Sequence, residues 1–125
     1  MILNGLGGKK YSRNHAIHSA KILNLIQPEY LSTLVLSFPF GENQYKNRFN
    51  GDFQRMNILE LLEEMHVFLD NIDLENTIFR SDHASNYLIL KGTLSRDKEE
   101  LLSKINYVLQ NPEKANLREE WQRGL

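Results

Sequence analysis

The chain has 125 residues, enough for one domain (residues 1–125), and 41% of them are hydrophobic, so an apolar core without staples is within reach. Lys plus Arg number 15 and Asp plus Glu 16, for a formal charge of -1, which excludes the basic footprint of a nucleic-acid or anionic-membrane binder. There is no cysteine, which excludes disulfides, thiolate metal sites and cysteine-ligated iron–sulfur clusters within the chain.

Met1-Ile2-Leu3 is apolar and runs into Gly5-Leu6-Gly7-Gly8, the pattern of a buried strand entering a tight turn. A chain that opens inside a strand leads to the expectation that something normally precedes it. Ser12 can cap a helix from about Arg13 to Ile26, with Ala16, Ala20 and Leu23 on one face and Pro28 just past its end. Leu31 to Phe38 is nearly all apolar at its centre and suggests a strand covered on both faces, as in a parallel sheet. Phe40 to Arg55, with Gly41 and Gly51, has the composition of a long loop.

Asn57 followed by Glu60 resembles a capping box. The helix it opens has Ile58, Leu61, Leu62, Met65, Phe68, Leu69 and Ile72 as its apolar stripe, with Glu60, Glu63, Glu64 and Asp70 expected mainly outside it. Thr77-Ile78-Phe79 is a short third strand, Ser81 to Asn86 a polar turn, and Tyr87 to Leu90 is apolar again. Ser95 can cap a last helix with Leu101, Leu102, Ile105, Val108 and Leu109 on its face, ended by Asn111-Pro112, and Trp121 can dock the tail. Strand alternates with helix three times, which predicts an α/β fold of about three parallel strand–helix units with right-handed crossovers.

In such folds ligands bind at the loops after the carboxyl ends of the strands, and three segments fall there: Gly5 to Lys10, Pro39 to Tyr45 and Ser81 to Asn86. Gly5, Gly7 and Gly8 allow a backbone approach to a polar ligand, or simply a tight strand-to-helix turn. Lys10 followed by Tyr11 breaks the pattern of a phosphate loop. In the third segment, Asp82 can orient His83 as a donor or acid/base. Alternatively Asp82 and Asn86 satisfy backbone N–H groups of the turn. His15 and His18 lack a third metal ligand nearby and are expected on the helix surface, and His66 is expected to be structural. No metal site and no Ser-His-Asp set emerges.

Several of these residues form a series: Gly5-Leu6-Gly7-Gly8-Lys9, Ser12, His15-Ala16, Ala20, Leu23-Asn24 and Pro28, then Ser81-Asp82-His83-Ala84-Ser85-Asn86-Tyr87-Leu88, Leu90, Lys91-Gly92-Thr93-Leu94 and Asp97-Lys98. The series resembles the C-terminal part of radical SAM proteins, in the subgroup related to oxygen-independent coproporphyrinogen oxidases. It spans about Ile2 to Gly124, and Ser81 to Lys98 is its most specific stretch. The loop Pro39-Phe40-Gly41-Glu42-Asn43-Gln44-Tyr45 keeps Pro39, Gly41 and Tyr45 of the subgroup's Pro-Gly-Thr-Pro-Leu-Tyr and departs elsewhere.

The resemblance implies the C-terminal half of a partial (β/α)6 barrel. Full-length members hold a [4Fe–4S] cluster on three cysteines and cleave S-adenosylmethionine reductively. By position, Gly5, Gly7, Gly8, Ser81, Asp82, His83 and Asn86 would line the pocket for S-adenosylmethionine and substrate. This chain alone would hold no cofactor and be inactive, for want of cysteine. A free-standing, non-catalytic α/β binding module is the alternative.

A half-barrel leaves an open edge and face, so a homo-oligomer or a chain carrying the missing N-terminal half is the expected partner, unless the loop Phe40–Arg55 or the tail covers them. No apolar run approaches the roughly 18 residues of a membrane span. No basic segment followed by an apolar stretch marks a secretory signal, and the expectation is a cytoplasmic protein with no nucleic-acid or membrane partner.

Overall fold

The computed structural model describes residues 2–35, 57–81, 88–94 and 96–111. The expected loop Phe40–Arg55, the end of the second strand at Leu36–Phe38, the turn Asp82–Asn86, the Ser95 cap and the tail around Trp121 lie outside the described residues. The elements in chain order are β1 (Ile2–Asn4), α1 (Gly8–Ile26), β2 (Tyr30–Val35), α2 (Ile58–Asp70), β3 (Thr77–Ser81), β4 (Leu90–Leu94) and α3 (Lys98–Gln110). They build an α/β unit with a four-stranded sheet in the order β1-β2-β3-β4.

β1 pairs with β2 and β2 with β3 in parallel, as the alternation of strands and helices predicts. The third unit departs from that pattern. β3 is followed by β4, which pairs with it antiparallel from Thr77↔Leu94 to Ser81↔Leu90, and only then by α3. The sheet is therefore mixed. The missed sign is the alternation in Leu90-Lys91-Gly92-Thr93-Leu94, whose ends are buried while Lys91 is exposed. Gly92 has a local cause: a Cβ there would meet the Asp97 carboxylate at 2.9 Å. That carboxylate accepts the Thr93 N–H at 2.8 Å, and the Asp97 N–H returns to the Thr93 carbonyl at 2.8 Å.

α1 begins earlier than Arg13, because the glycine turn feeds it directly. The Gly8 N–H closes on the Gly5 carbonyl at 3.0 Å, with φ of 85° at Gly5 and 66° at Gly8, values open to glycine and strained for other residues. Gly7 is the N-cap and supplies no side-chain bond, so Ser12 sits inside the helix rather than at its start. At the other end, the Gln27 N–H bonds to Leu23 O at 2.8 Å with φ of 51°. Asn24 and Gln27 then bond the segment that leaves α2, Asn24 Nδ2 to Asn71 O at 3.0 Å and Gln27 Nε2 to Asp73 O at 3.0 Å.

α2 opens with the expected capping box: Asn57 Oδ1 accepts the Glu60 N–H at 2.8 Å, and Glu60 Oε1 accepts the Asn57 N–H at 3.0 Å. Carbonyls at its end and just past it are met from α3, where Lys98 Nζ donates to Asp70 O at 2.9 Å and Ile72 O at 2.8 Å.

One apolar cluster joins the layers. It comprises Ala16, Ala20 and Leu23 of α1, Met65, Phe68 and Leu69 of α2 and Leu101, Ile105 and Val108 of α3, with α2 packed against both other helices, over Leu31, Phe79, Leu90 and Leu94 of the sheet. Ala16 and Ala20 let α1 approach closely. The opposite face of the sheet is not covered in the same way. Phe79 is fully buried whereas Ile78 is 43% exposed, and Ser32, Leu34 and Arg80 are half-buried. This corrects the expectation that β2 lies in a sheet layered on both sides: the described helices cover one face.

Replacing Asn57 by Ala removes one of two reciprocal bonds at an exposed helix start and should cost about 1 kcal/mol, read as a lower midpoint in urea unfolding, while Asn57→Asp should stay near the wild type.

Candidate functional site

Parallel pairing brings the carboxyl ends of β1, β2 and β3, at Asn4, Val35 and Ser81, to one edge of the sheet. Gly5, Gly7 and Gly8 leave that edge as a turn. Ser81 is buried there, its hydroxyl accepting from Thr33 Oγ1 at 2.7 Å. Asp82, His83 and Asn86, expected beside it, lie outside the described residues. The expected use of the glycines as ligand donors meets a prior claim. The Gly5 N–H points at Glu64 Oε1 (3.4 Å), and a Cβ on Gly7 would lie 2.8 Å from Tyr11 Cβ. Packing against its own helix thus accounts for Gly7.

The group that claims the Gly5 amide is Glu64, expected on the solvent side of α2 and in fact only 2% exposed. Its Oε2 accepts the Ser12 hydroxyl at 3.1 Å, and its Oε1 lies 3.6 Å from His15 Nε2. That imidazole nitrogen is also 2.9 Å from the Leu3 carbonyl, which can only accept, so Nε2 carries a proton. One carboxylate thereby ties β1, the glycine turn and α1 to α2. His15, expected as an ordinary surface residue, belongs to this cluster, while His18 is exposed as expected. The period of α2 carried the signal: Glu64 follows Leu61 by three residues and precedes Phe68 by four, so it shares their buried face.

Compared with protein-family models, with curated proteins and with solved structures, the chain matches none.

Burial pushes the Glu64 carboxyl above its ordinary value of 4.5, against the opposing pull of His15, the Gly5 N–H and the Ser12 hydroxyl. Ser12 donates to the carboxylate and not to His15, so the three residues do not form an activated nucleophile. A cleft of about 270 Å³ opens beside them between α1 and α2, with Lys9 and Arg13 on one helix and Glu60 and Glu63 on the other. Lys9 and Glu60 pair across it at 3.5 Å. Among the described residues no group of three or more His, Cys, Asp or Glu is placed to hold a metal ion, and no helix is long and apolar enough to cross a membrane.

Glu64→Ala should destabilise the fold by about 2–4 kcal/mol, because it leaves a cavity and strips partners from buried donors. A carboxyl whose folded pKa is raised stabilises the fold in its protonated form. That contribution is full below the ordinary value of 4.5 and is lost as pH rises through the raised one. Urea unfolding from pH 4.5 upward should accordingly show wild-type stability falling with pH, with a flatter profile for Glu64→Gln.

Proposed function

We propose that this chain is the C-terminal part of a radical SAM-type enzyme, lending the carboxyl edge of its sheet to the S-adenosylmethionine and substrate pocket and inactive alone. The observation that carries the reading is the shared edge. Three successive parallel strands deliver Asn4, Val35 and Ser81 to one side, which is where parallel α/β folds bind ligands. The resemblance carried by residues between Gly5 and Lys98 is what suggests it. The sheet itself supports it, layered by helices on one face with Ile78 exposed on the other, as expected of part of a closed barrel.

The chain's own residues do not fit an iron–sulfur cluster, since there is no cysteine to supply thiolates. The cluster belongs to a separate segment or chain with a CxxxCxxC motif. What this chain contributes is binding surface at the edge after β1, β2 and β3. The barrel, the radical chemistry and the pocket roles of Gly5, Gly7, Gly8, Ser81, Asp82, His83 and Asn86 are all parts of this one proposal.

Anaerobic reconstitution tests it. The chain alone should give no [4Fe–4S] spin-resonance signal and no 5′-deoxyadenosine. Mixed with a cysteine-bearing N-terminal half-barrel carrying a CxxxCxxC motif, it should restore S-adenosylmethionine cleavage that neither part has alone. A cluster on the isolated chain would overturn the proposal, as would a cysteine-bearing half whose activity is indifferent to this chain. Stoichiometric S-adenosylmethionine binding by the chain alone would point instead to the free-standing binding module.

A further inference from the structure

α1 carries two faces, and the described residues cover one of them. Ala16 and Ala20 are buried against the core, and Asn24 bonds the end of α2. Around the helix from these, Tyr11, His18, Ile22 and Leu25 fall on one side, with His15 and Ile26 at its margin. Ile22 is 57% exposed, Leu25 87% and Ile26 63%. The margin is located by His15, which bonds Leu3 O in β1, the strand at the end of the sheet. The exposed stripe therefore faces outward past that edge and away from α2. Large aliphatic side chains contiguous on one helix mark an interaction surface.

The charge on α1 discriminates between occupants. The helix contains Lys9, Lys10, Arg13 and Lys21 and no acidic residue. Two copies meeting through this face would bring Lys10 and Lys21 of each together, like charge on like. On its inner side the same helix meets a partner of opposite sign, because α2 carries Glu60, Glu63, Glu64 and Asp70 with no Lys or Arg, and Lys9 pairs with Glu60 at 3.5 Å. We propose that the Tyr11–Ile26 face docks an acidic amphipathic helix from another chain, its apolar stripe on Ile22 and Leu25 and its carboxylates toward Lys10 and Lys21, which flank that face, whereas Lys9 and Arg13 turn toward α2. This deepens the half-barrel reading, on which it rests for why a helix belongs at that edge.

The probe is a fluorescent synthetic helix of about 20 residues, leucine on one face and glutamate flanking it, with a lysine-flanked version as control. Fluorescence anisotropy with the full chain should show the glutamate peptide binding at least tenfold tighter, with the advantage shrinking at high salt. Leu25→Ser should weaken binding about tenfold, and Lys21→Glu should reduce the preference for glutamate. Both positions are exposed, and unchanged circular dichroism and urea midpoints confirm that the variants fold. Equal binding of the two peptides would overturn the proposal, as would indifference to Leu25→Ser. A dimer in sedimentation that Leu25→Ser dissolves would also overturn it, by making the occupant a second copy. None of these readouts involves S-adenosylmethionine, so failure of the enzyme reading shows in the reconstitution assay and failure of the docking surface shows here.

Discussion

Two successive crossovers between parallel neighbours, β1–α1–β2 and β2–α2–β3, advance in the same direction along the sheet. The fixed hand of such connections puts both helices on the same face. The burial pattern agrees: Leu31 and Phe79 are buried under the helices while their neighbour Ile78 is exposed. From this one constraint follow the single helix layer, the common edge for Asn4, Val35 and Ser81, and a second sheet face left without helices among the described residues. Antiparallel β4 does not disturb the arrangement, because Leu90 and Leu94 join the same core and α3 completes the layer beside α2.

The layer is held in register by polar ties as well as by packing. At the carboxyl edge Glu64 gathers the Gly5 amide, the Ser12 hydroxyl and His15. At the opposite end Asn24 and Gln27 hold the chain leaving α2. A buried carboxyl is costly to desolvate, and its partners offset part of that cost only in this geometry. Glu64 therefore fixes where the glycine turn sits relative to α2. A turn so held is suited to presenting backbone at a ligand edge, although the Gly5 amide itself is committed inward.

The sequence made the layer legible wherever periodicity was strong. The α2 stripe from Leu61 to Leu69 and its Asn57–Glu60 cap were visible, because spacing alone determines a helical face and a reciprocal cap. β4 was less legible: five residues containing a lysine and a glycine carry little strand signal, and antiparallel pairing depends on a partner strand fixed only in three dimensions. Ser12 looked like a cap because its residue type favours one, whereas the glycine turn had already started the helix at Gly8. By residue type Glu64 reads as exposed, and His15, with no third metal ligand near it in sequence, reads as a surface residue. For Glu64 the position on the helical period is the better guide, while His15 is tied in by a bond to Leu3 O that only the fold creates.

The central claim is that the described helices layer one face of this sheet and leave Ile78, on the other, accessible. The absence of native cysteine makes a single introduced thiol a clean reporter of its own surroundings. Ile78→Cys and Ser81→Cys lie on the same strand and face opposite sides, one 43% exposed and the other 1%. Under native conditions the account predicts rapid reaction of Ile78→Cys with a thiol reagent and slow reaction of Ser81→Cys, becoming equal on unfolding. Equally slow reaction of both in the folded chain would mean that the second face is covered too, and would contradict the account.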